Sequence, residues 1–258
     1  VDPGGLVAVG VGRLYLGKRL VRGRRFGTLL ALAFAVCAVP LAPLLDLPPS
    51  VEASLDTELQ AMGTLYDEIL APRVFDAFGP GSDVDADGRV HFLLSPTVNA
   101  LVPAADCAIR GFVRGFFYSH DLVSSESTSN QAEVFYGFVP DPTGRWSCAH
   151  SKSEVLANLP PTFMHELQHM ISFGAHAVVR GGTGEDAWLN EGLSHLAEEL
   201  GSLYWEQRFP APLGRSQPSQ LFPDSAAAYI NPNLLYSYRF LFSSAFYSLT
   251  SCAPGTFC

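Results

Sequence analysis

Basic residues are scarce in most of this chain. Six of its 16 lysines and arginines (Arg13, Lys18, Arg19, Arg22, Arg24, Arg25) fall within the first 27 residues, beside one acid, Asp2. The rest holds 10 basic against 24 acidic residues, a net of −14. So acidic a body argues against a nucleic-acid partner, whose phosphates need clustered positive charge. Cysteine is sparse: five in 258 residues, none in a C-x-x-C pair, which argues against a cysteine-built zinc site. There is no G-x-S-x-G and no G-x-x-x-x-G-K-[ST], hence neither a serine-hydrolase elbow nor a P-loop. No repeat of about 20–50 residues recurs. An unbroken apolar run of membrane-spanning length, about 20 residues, is also missing, because Pro40 and Pro43 interrupt Thr28–Leu45.

What is present points to a folded, exported protein. Hydrophobic residues make up 48% and aromatics 12%, enough for a substantial core. The basic cluster Lys18–Arg25 precedes TLLALAFAVCAV, Thr28 to Val39. That order fits a secretory signal peptide, with a membrane segment as the alternative. Residues 1–47 are assigned to this signal or N-terminal membrane segment, and 48–258 to one globular domain. The membrane is expected to be met only through the N-terminal segment. Val36 is too large for a lipoprotein signal ending at Cys37. The first residue is Val and the stretch before Lys18 is long, so the natural start is expected elsewhere. A continuation past Cys258 is left open. With Cys37 removed, four cysteines suit disulfides in an exported protein. Cys107–Cys148 and Cys252–Cys258 are the favoured pairs, each bracketing a compact segment.

Along the chain, PPSV (48–51) reads as a linker. From Ala53 to Phe78 the recurrence of Leu55, Leu59, Met62, Leu65 and Ile69 predicts a helix. Pro72 kinks or divides it, and Gly79-Pro80-Gly81 ends it. In DVDADGRVHFLL (83–94), Asp83, Asp85, Asp87 and Gly88 match the start of a calcium loop. Position twelve is Leu94, where a bidentate Glu belongs, and a tight turn into a strand Val90–Leu94 explains the pattern equally. Segments 112–118 and 133–139 read as strands, with a polar loop Ser124–Asn130 between them and a turn at Asp141–Gly144. The second strand is either an edge that binds extended substrate or an interior strand. Helices follow to the end, so the fold class is α+β.

The most specific signal is TFMHELQH, residues 162–169. Pro160-Pro161-Thr162 reads as a helix entrance and Gly174 as its exit. At about 100° per residue, Phe163, Met164, Leu167, Met170 and Ile171 share one face. His165 and His169 share the other. Histidines at i and i+4 can reach one ion with their ring nitrogens. Glu166 then stands beside the ion, free to act as a general base. With seven His and 12 Glu in the chain, composition alone yields about 0.009 matches to H-E-x-x-H.

A catalytic zinc takes three protein ligands and leaves one position open. Downstream candidates are His176, Glu185, Asp186, Glu191, His195 and Glu198. DAWLNEGLSHLAEELG (186–201) reads as a second helix, capped by Asp186 and ended by Gly201. Leu189, Leu193, Leu196 and Leu200 form its predicted apolar stripe. Glu191, His195 and Glu198 lie opposite.

His165-Glu166-x-x-His169 followed by Asn190-Glu191-Gly192 resembles the gluzincin metallopeptidases. TFMHELQHMISF with WLNEGLSHLAEEL is similar, more narrowly, to the hyicolysin-type family of bacterial extracellular metallopeptidases. The Asp-rich turn and SNQAEVFYGFVPD also fit that family, over roughly residues 55–250. The resemblance implies a zincin-like fold: a strand-rich part, then an active-site helix, a ligand-bearing helix and a helical C-terminal part. It implies Glu191 as third zinc ligand, a secreted or cell-surface bacterial protein, and a protein or peptide substrate. Other zinc-peptidase patterns fit worse. Ser172 and Ala175 stand where a metzincin needs Gly and His, and Glu185 stands where an aspzincin needs Asp. One departure concerns His195, which occupies the place where thermolysin-like relatives carry an Asp that orients the first histidine. His195 is therefore either a hydrogen-bond partner of Glu191 or a water, or an alternative ligand. Gluzincins use a Tyr or His to stabilise the oxyanion; Tyr229, Tyr236 and Tyr238 are the candidates here.

The expected activity is zinc-dependent endopeptidase cleavage with Glu166 as base. The alternatives are an exported binding or adhesion module with a non-catalytic zinc, and a zinc hydrolase acting on a non-peptide bond.

Overall fold

A computed structural model of the chain describes residues 26–27, 49–208 and 224–242. The apolar run Thr28–Val39 with Cys37, and the expected Cys252–Cys258 pair, lie outside the described residues. Among those residues no helix is long and apolar enough to cross a membrane. The fold mixes many helices with one small sheet, compatible with α+β. The described residues divide into two compact units, one holding 26–27, 49–69 and 82–160, the other 70–81, 161–208 and 224–242.

In the first unit, helix α1 (Pro49–Leu65) passes into a π-helical turn, Tyr66–Leu70. PPSV is therefore no linker, because a proline suits the first turn of a helix, where an N–H has no partner to lose. Leu55, Leu59, Met62 and Tyr66 are its buried residues. Leu65 and Ile69 are only half-buried, since the buried residues step by four, three and four, bringing Tyr66 to the core in place of Leu65.

The sheet has order β1-β2-β4-β3, with β1 (Phe26–Gly27), β2 (Val90–Leu94), β3 (Gly115–Phe117) and β4 (Val134–Gly137). β2 pairs in parallel with β1 and β4, and β3 runs antiparallel to β4. The strand expected at 133–139 is thus interior, with both backbone edges taken. It cannot receive substrate by strand addition. Gly115 and Gly137 pair across β3 and β4, and the Phe135 ring fills the space a Cβ would need at either position.

Side chains fasten the connecting loops. Asn99 copies a strand partner, donating to Val139 O at 2.8 Å and accepting from Val139 N at 2.9 Å. Buried Asp121 accepts from Asn130 N at 2.9 Å and from the Tyr136 hydroxyl at 2.6 Å. That closes the polar loop at its base. Asp141 accepts from the backbone N–H groups of Arg145 and Trp146, both at 2.8 Å. Two further short helices, α3 (Pro96–Asn99) and α4 (Cys107–Arg110), lie between β2 and β3. Cys107 and Cys148 form the expected disulfide.

The second unit is helical. Helix α2 (Ala71–Phe78) starts with Pro72 in its first turn and stops at Gly79, whose φ of 94° suits glycine. The long helix α5 (Lys152–Phe173), whose residues 152–160 belong to the first unit, starts well before the predicted entrance. Its cap is Ser151, whose hydroxyl accepts from Glu154 N at 3.1 Å. Pro160 and Pro161 are interior, and their missing N–H groups leave two turn bonds unmade. The boundary between the units falls between these prolines. The α-helix ends at Phe173, and Gly174 opens a π-helical turn to Val179.

Helix α6 (Ala187–Arg208) begins after Asp186, as expected, but runs past Gly201. Gly201 is there for close approach, not termination. A Cβ on it would meet the Tyr229 ring at 2.5 Å and Met164 Sδ at 2.6 Å. The predicted leucine stripe is also corrected. Ser194, Ala197, Glu198, Gly201 and Ser202 are buried, whereas Leu189 and Leu196 are 36% and 48% exposed. Small residues let this face approach the histidine helix and helix α7 (Asp224–Phe242) more closely than leucines would.

Candidate metal centre

The α5 segment presents its two faces as the spacing requires. Phe163, Met164, Leu167, Met170 and Ile171 are each at most 4% exposed. His165 and His169, one turn apart on the other face, have ring centroids 4.7 Å apart. Glu191 on α6 meets both. One carboxylate oxygen is 3.3 Å from His165 Nε2 and the other is 3.7 Å from His169 Nε2. Ligand atoms about 2.0–2.1 Å from a tetrahedral ion lie about 3.3–3.4 Å from one another. Two imidazole nitrogens and a carboxylate fit zinc in donor type, and all three ligand atoms lie within 4.8 Å of one another. His165 and His169 side chains are 13% exposed and Glu191 is 45% exposed, so the cluster opens toward solvent on the Glu191 side.

His165 is held from behind. Its Nδ1 is 2.8 Å from Glu198 Oε1, while Glu198 Oε2 is 3.3 Å from His195 Nδ1. Glu198 thus fixes Nδ1 of His165 as the N–H and leaves Nε2 facing Glu191. Ser194, fully buried, donates to Gln168 at 2.6 Å and lies 2.9 Å from His169 Nδ1. Spacing did not single out Ser194 or Gln168. Glu198 was readable as a member of the polar face, yet nothing in the sequence said it would reach His165.

The electrostatics follow from these contacts. Burial disfavours charge on His165, but Glu191 and Glu198, with Glu166 nearby, outweigh it and push its pKa up to about 10. Burial and the neighbouring His165 charge lower that of His169. Burial would raise both Glu191 and Glu198, yet the histidines beside them bring each below its ordinary value. Both carboxylates thus favour the ionised form, and a dication held here would have to displace the His165 proton.

A second grouping, His165, His195 and Glu198, also lies within ligand distance. His195 ring packs 5.0 Å from His165 and 5.2 Å from Tyr236. It shares His165 with the first grouping, and its carboxylate is the one already engaged by Nδ1. Of the three tyrosines, Tyr236 has its ring beside His195 in this cluster. Tyr229 is 3% exposed against Gly201, and burial pushes its hydroxyl up to about 12. Tyr238 is 60% exposed and stacks on Phe242. His176 pairs with Glu185 at 3.6 Å, and Asp186 starts α6 by accepting backbone bonds from Leu189 and Asn190. Asp83, Asp85 and Asp87 lie in the other unit, in the turn before β2.

No family model matches the chain. The neutral metalloprotease ShpI of Staphylococcus hyicus is 27% identical to it over 146 residues, 56% of this chain and 31% of that protein. The chain therefore matches about a third of that relative's length.

Proposed function

We propose that this chain is an exported zinc endopeptidase of the gluzincin type, resembling the hyicolysin-type enzymes in pattern. The observation that carries the reading is the convergence of His165 Nε2 and His169 Nε2 on the Glu191 carboxylate. The distant similarity to a metalloprotease supports it. His165, His169 and Glu191 would hold the ion. Bound there, zinc would polarise a scissile carbonyl and acidify a water.

The protein's own groups do the rest. Glu166, one residue beyond the first ligand, accepts the proton of the attacking water and returns it to the leaving amine. Glu198 keeps His165 in one tautomer and orientation. Tyr236, half-buried beside His195, is the best placed of the tyrosines to donate to the developing oxyanion. All of these residues belong to the second unit. Residues 48–258 form the catalytic domain in this reading, joined in the sheet by Phe26–Gly27, and the rest of 1–47 is the export signal or anchor.

The test uses purified protein on casein, with and without a zinc chelator, beside Glu166→Gln. Zinc content of about one per chain at this centre, cleavage lost to the chelator, and a zinc-loaded but inactive variant are expected. Cleavage that survives both treatments rules the mechanism out. Zinc retention without any cleavage by the parent protein would favour a binding module.

A further inference from the structure

The Asp-rich turn in the first unit matches only the first half of a calcium loop. Asp83 Oδ1 accepts from Gly88 N at 2.9 Å, and Asp85 Oδ1 accepts from Asp87 N at 3.2 Å. Glu133, fully buried at the entrance to β4, accepts from Val84 N at 3.0 Å. Those atoms hold the turn in shape. Leu94, at the position where a calcium loop needs its bidentate glutamate, is buried in β2.

Three other atoms remain and point together. His91 is 5% exposed, and neither of its ring nitrogens has a hydrogen-bond partner among the described residues. Its Nε2 is nonetheless 3.1 Å from Asp87 Oδ2 and 3.4 Å from Asp85 Oδ2. At such distances a directed N–H would normally bond one carboxylate. Here the nitrogen lies close to both carboxylates yet makes a hydrogen bond to neither. The separations match those of ligands around a tetrahedral ion, about 3.3–3.4 Å for bonds of about 2.0–2.1 Å. Leaving a buried imidazole nitrogen unbonded is costly, and a shared ion removes that cost at Nε2.

We propose that Asp85, Asp87 and His91 form a second divalent-cation site, separate from the histidine-helix centre. The nitrogen ligand selects an ion of the zinc class over calcium, which takes oxygen ligands. Asp83 and Glu133 shape the turn around it. The two Asp side chains are 26% and 34% exposed, so an ion can enter from solvent.

The test is metal content and calorimetric titration of the full chain, stripped by chelator and then given Zn²⁺, Mn²⁺ or Ca²⁺ separately. Two zinc ions per parent chain are expected. Asp85→Asn with Asp87→Asn should lose one, with at least a tenfold weaker second binding event. Glu191→Ala should keep this one while losing the other, so failure of the peptidase reading leaves the result interpretable. His91→Gln should shift the preference from zinc toward calcium. Equal stoichiometry in the parent and the double-Asn variant would overturn the proposal, as would calcium binding that zinc does not displace. The Asp substitutions sit in a solvent-facing turn, and an unchanged metal-free melting profile separates lost binding from misfolding.

Discussion

His165 Nδ1 lies 2.8 Å from Glu198 Oε1, and Glu198 follows Glu191 by seven residues, two turns along the same face of α6. One helix therefore supplies both the carboxylate that faces Nε2 and the one that fixes Nδ1. Glu198→Gln should weaken zinc binding by about 10–100-fold, the usual cost of losing a hydrogen-bond partner behind a ligating histidine. Glu191→Ala should cost more. Competition with a chromophoric chelator measures both. Equal affinities for the parent and Glu198→Gln would show that the contact does not orient His165.

Zinc binding should release protons at neutral pH. His165, raised to about 10 chiefly by Glu191 and Glu198 against the opposing effect of burial, is still protonated at pH 8. An ordinary imidazole, with a pKa of about 6.5, would be nearly proton-free there. Binding at pH 8 should then expel about one proton from this residue, and affinity should rise by about tenfold per pH unit up to the folded pKa. Calorimetry in buffers of different ionisation enthalpy counts the protons. Proton-neutral binding at pH 8 would contradict this value.

Gly201→Ala should destabilise the second unit. The new methyl would overlap the Tyr229 ring and Met164 Sδ, at 2.5 and 2.6 Å. Overpacking costs about 1–3 kcal/mol, while the better helix propensity of alanine returns about 1. A lower melting temperature is the expected net result. A rise would mean that α6 does not approach α7 as closely as described.

Asp67 supplies a pH-dependent term. Both of its carboxylate oxygens are buried without a hydrogen-bond partner among the described residues. Burial, with Glu68 adding like charge, pushes its pKa up to about 6. Its unfolded value is about 3.9, so the folded form binds the proton more tightly. That stability is fully present below about pH 3.9 and is lost as pH rises through about 6. Asp67→Asn, neutral throughout, should melt higher than the parent at pH 8 and close to it at pH 3.5. Thermal melts at both values test the sign.

Much of the site was legible because it depends on short-range helical geometry. The i, i+4 histidines and the apolar back of α5 follow from residue spacing alone, and the start of α6 follows from Asp186. The misreadings share a cause: residues with two structural uses. Pro160-Pro161 marks helix starts in general, but here Ser151 and Glu154 provide an earlier one. Gly201 looks like a stop because glycine is a poor helix former, yet what decided it was a ring more than 25 residues away in sequence. The leucines of α6 suggested a buried stripe, but the helix packs through Ser194, Ala197 and Gly201, where small size matters more than hydrophobicity. Glu133 and His91 could not be associated from sequence, since only the pairing of β2 with β4 brings them together. His91 N donates to Glu133 O at 2.6 Å across that pairing.

The most direct measurement is anomalous diffraction at the zinc edge from crystals of the zinc-loaded chain. The peptidase reading predicts a peak within about 2.0–2.2 Å of His165 Nε2, His169 Nε2 and a Glu191 oxygen, with one coordination position left to solvent. A peak bound instead by His195 and Glu198, with Glu191 turned away, would contradict it.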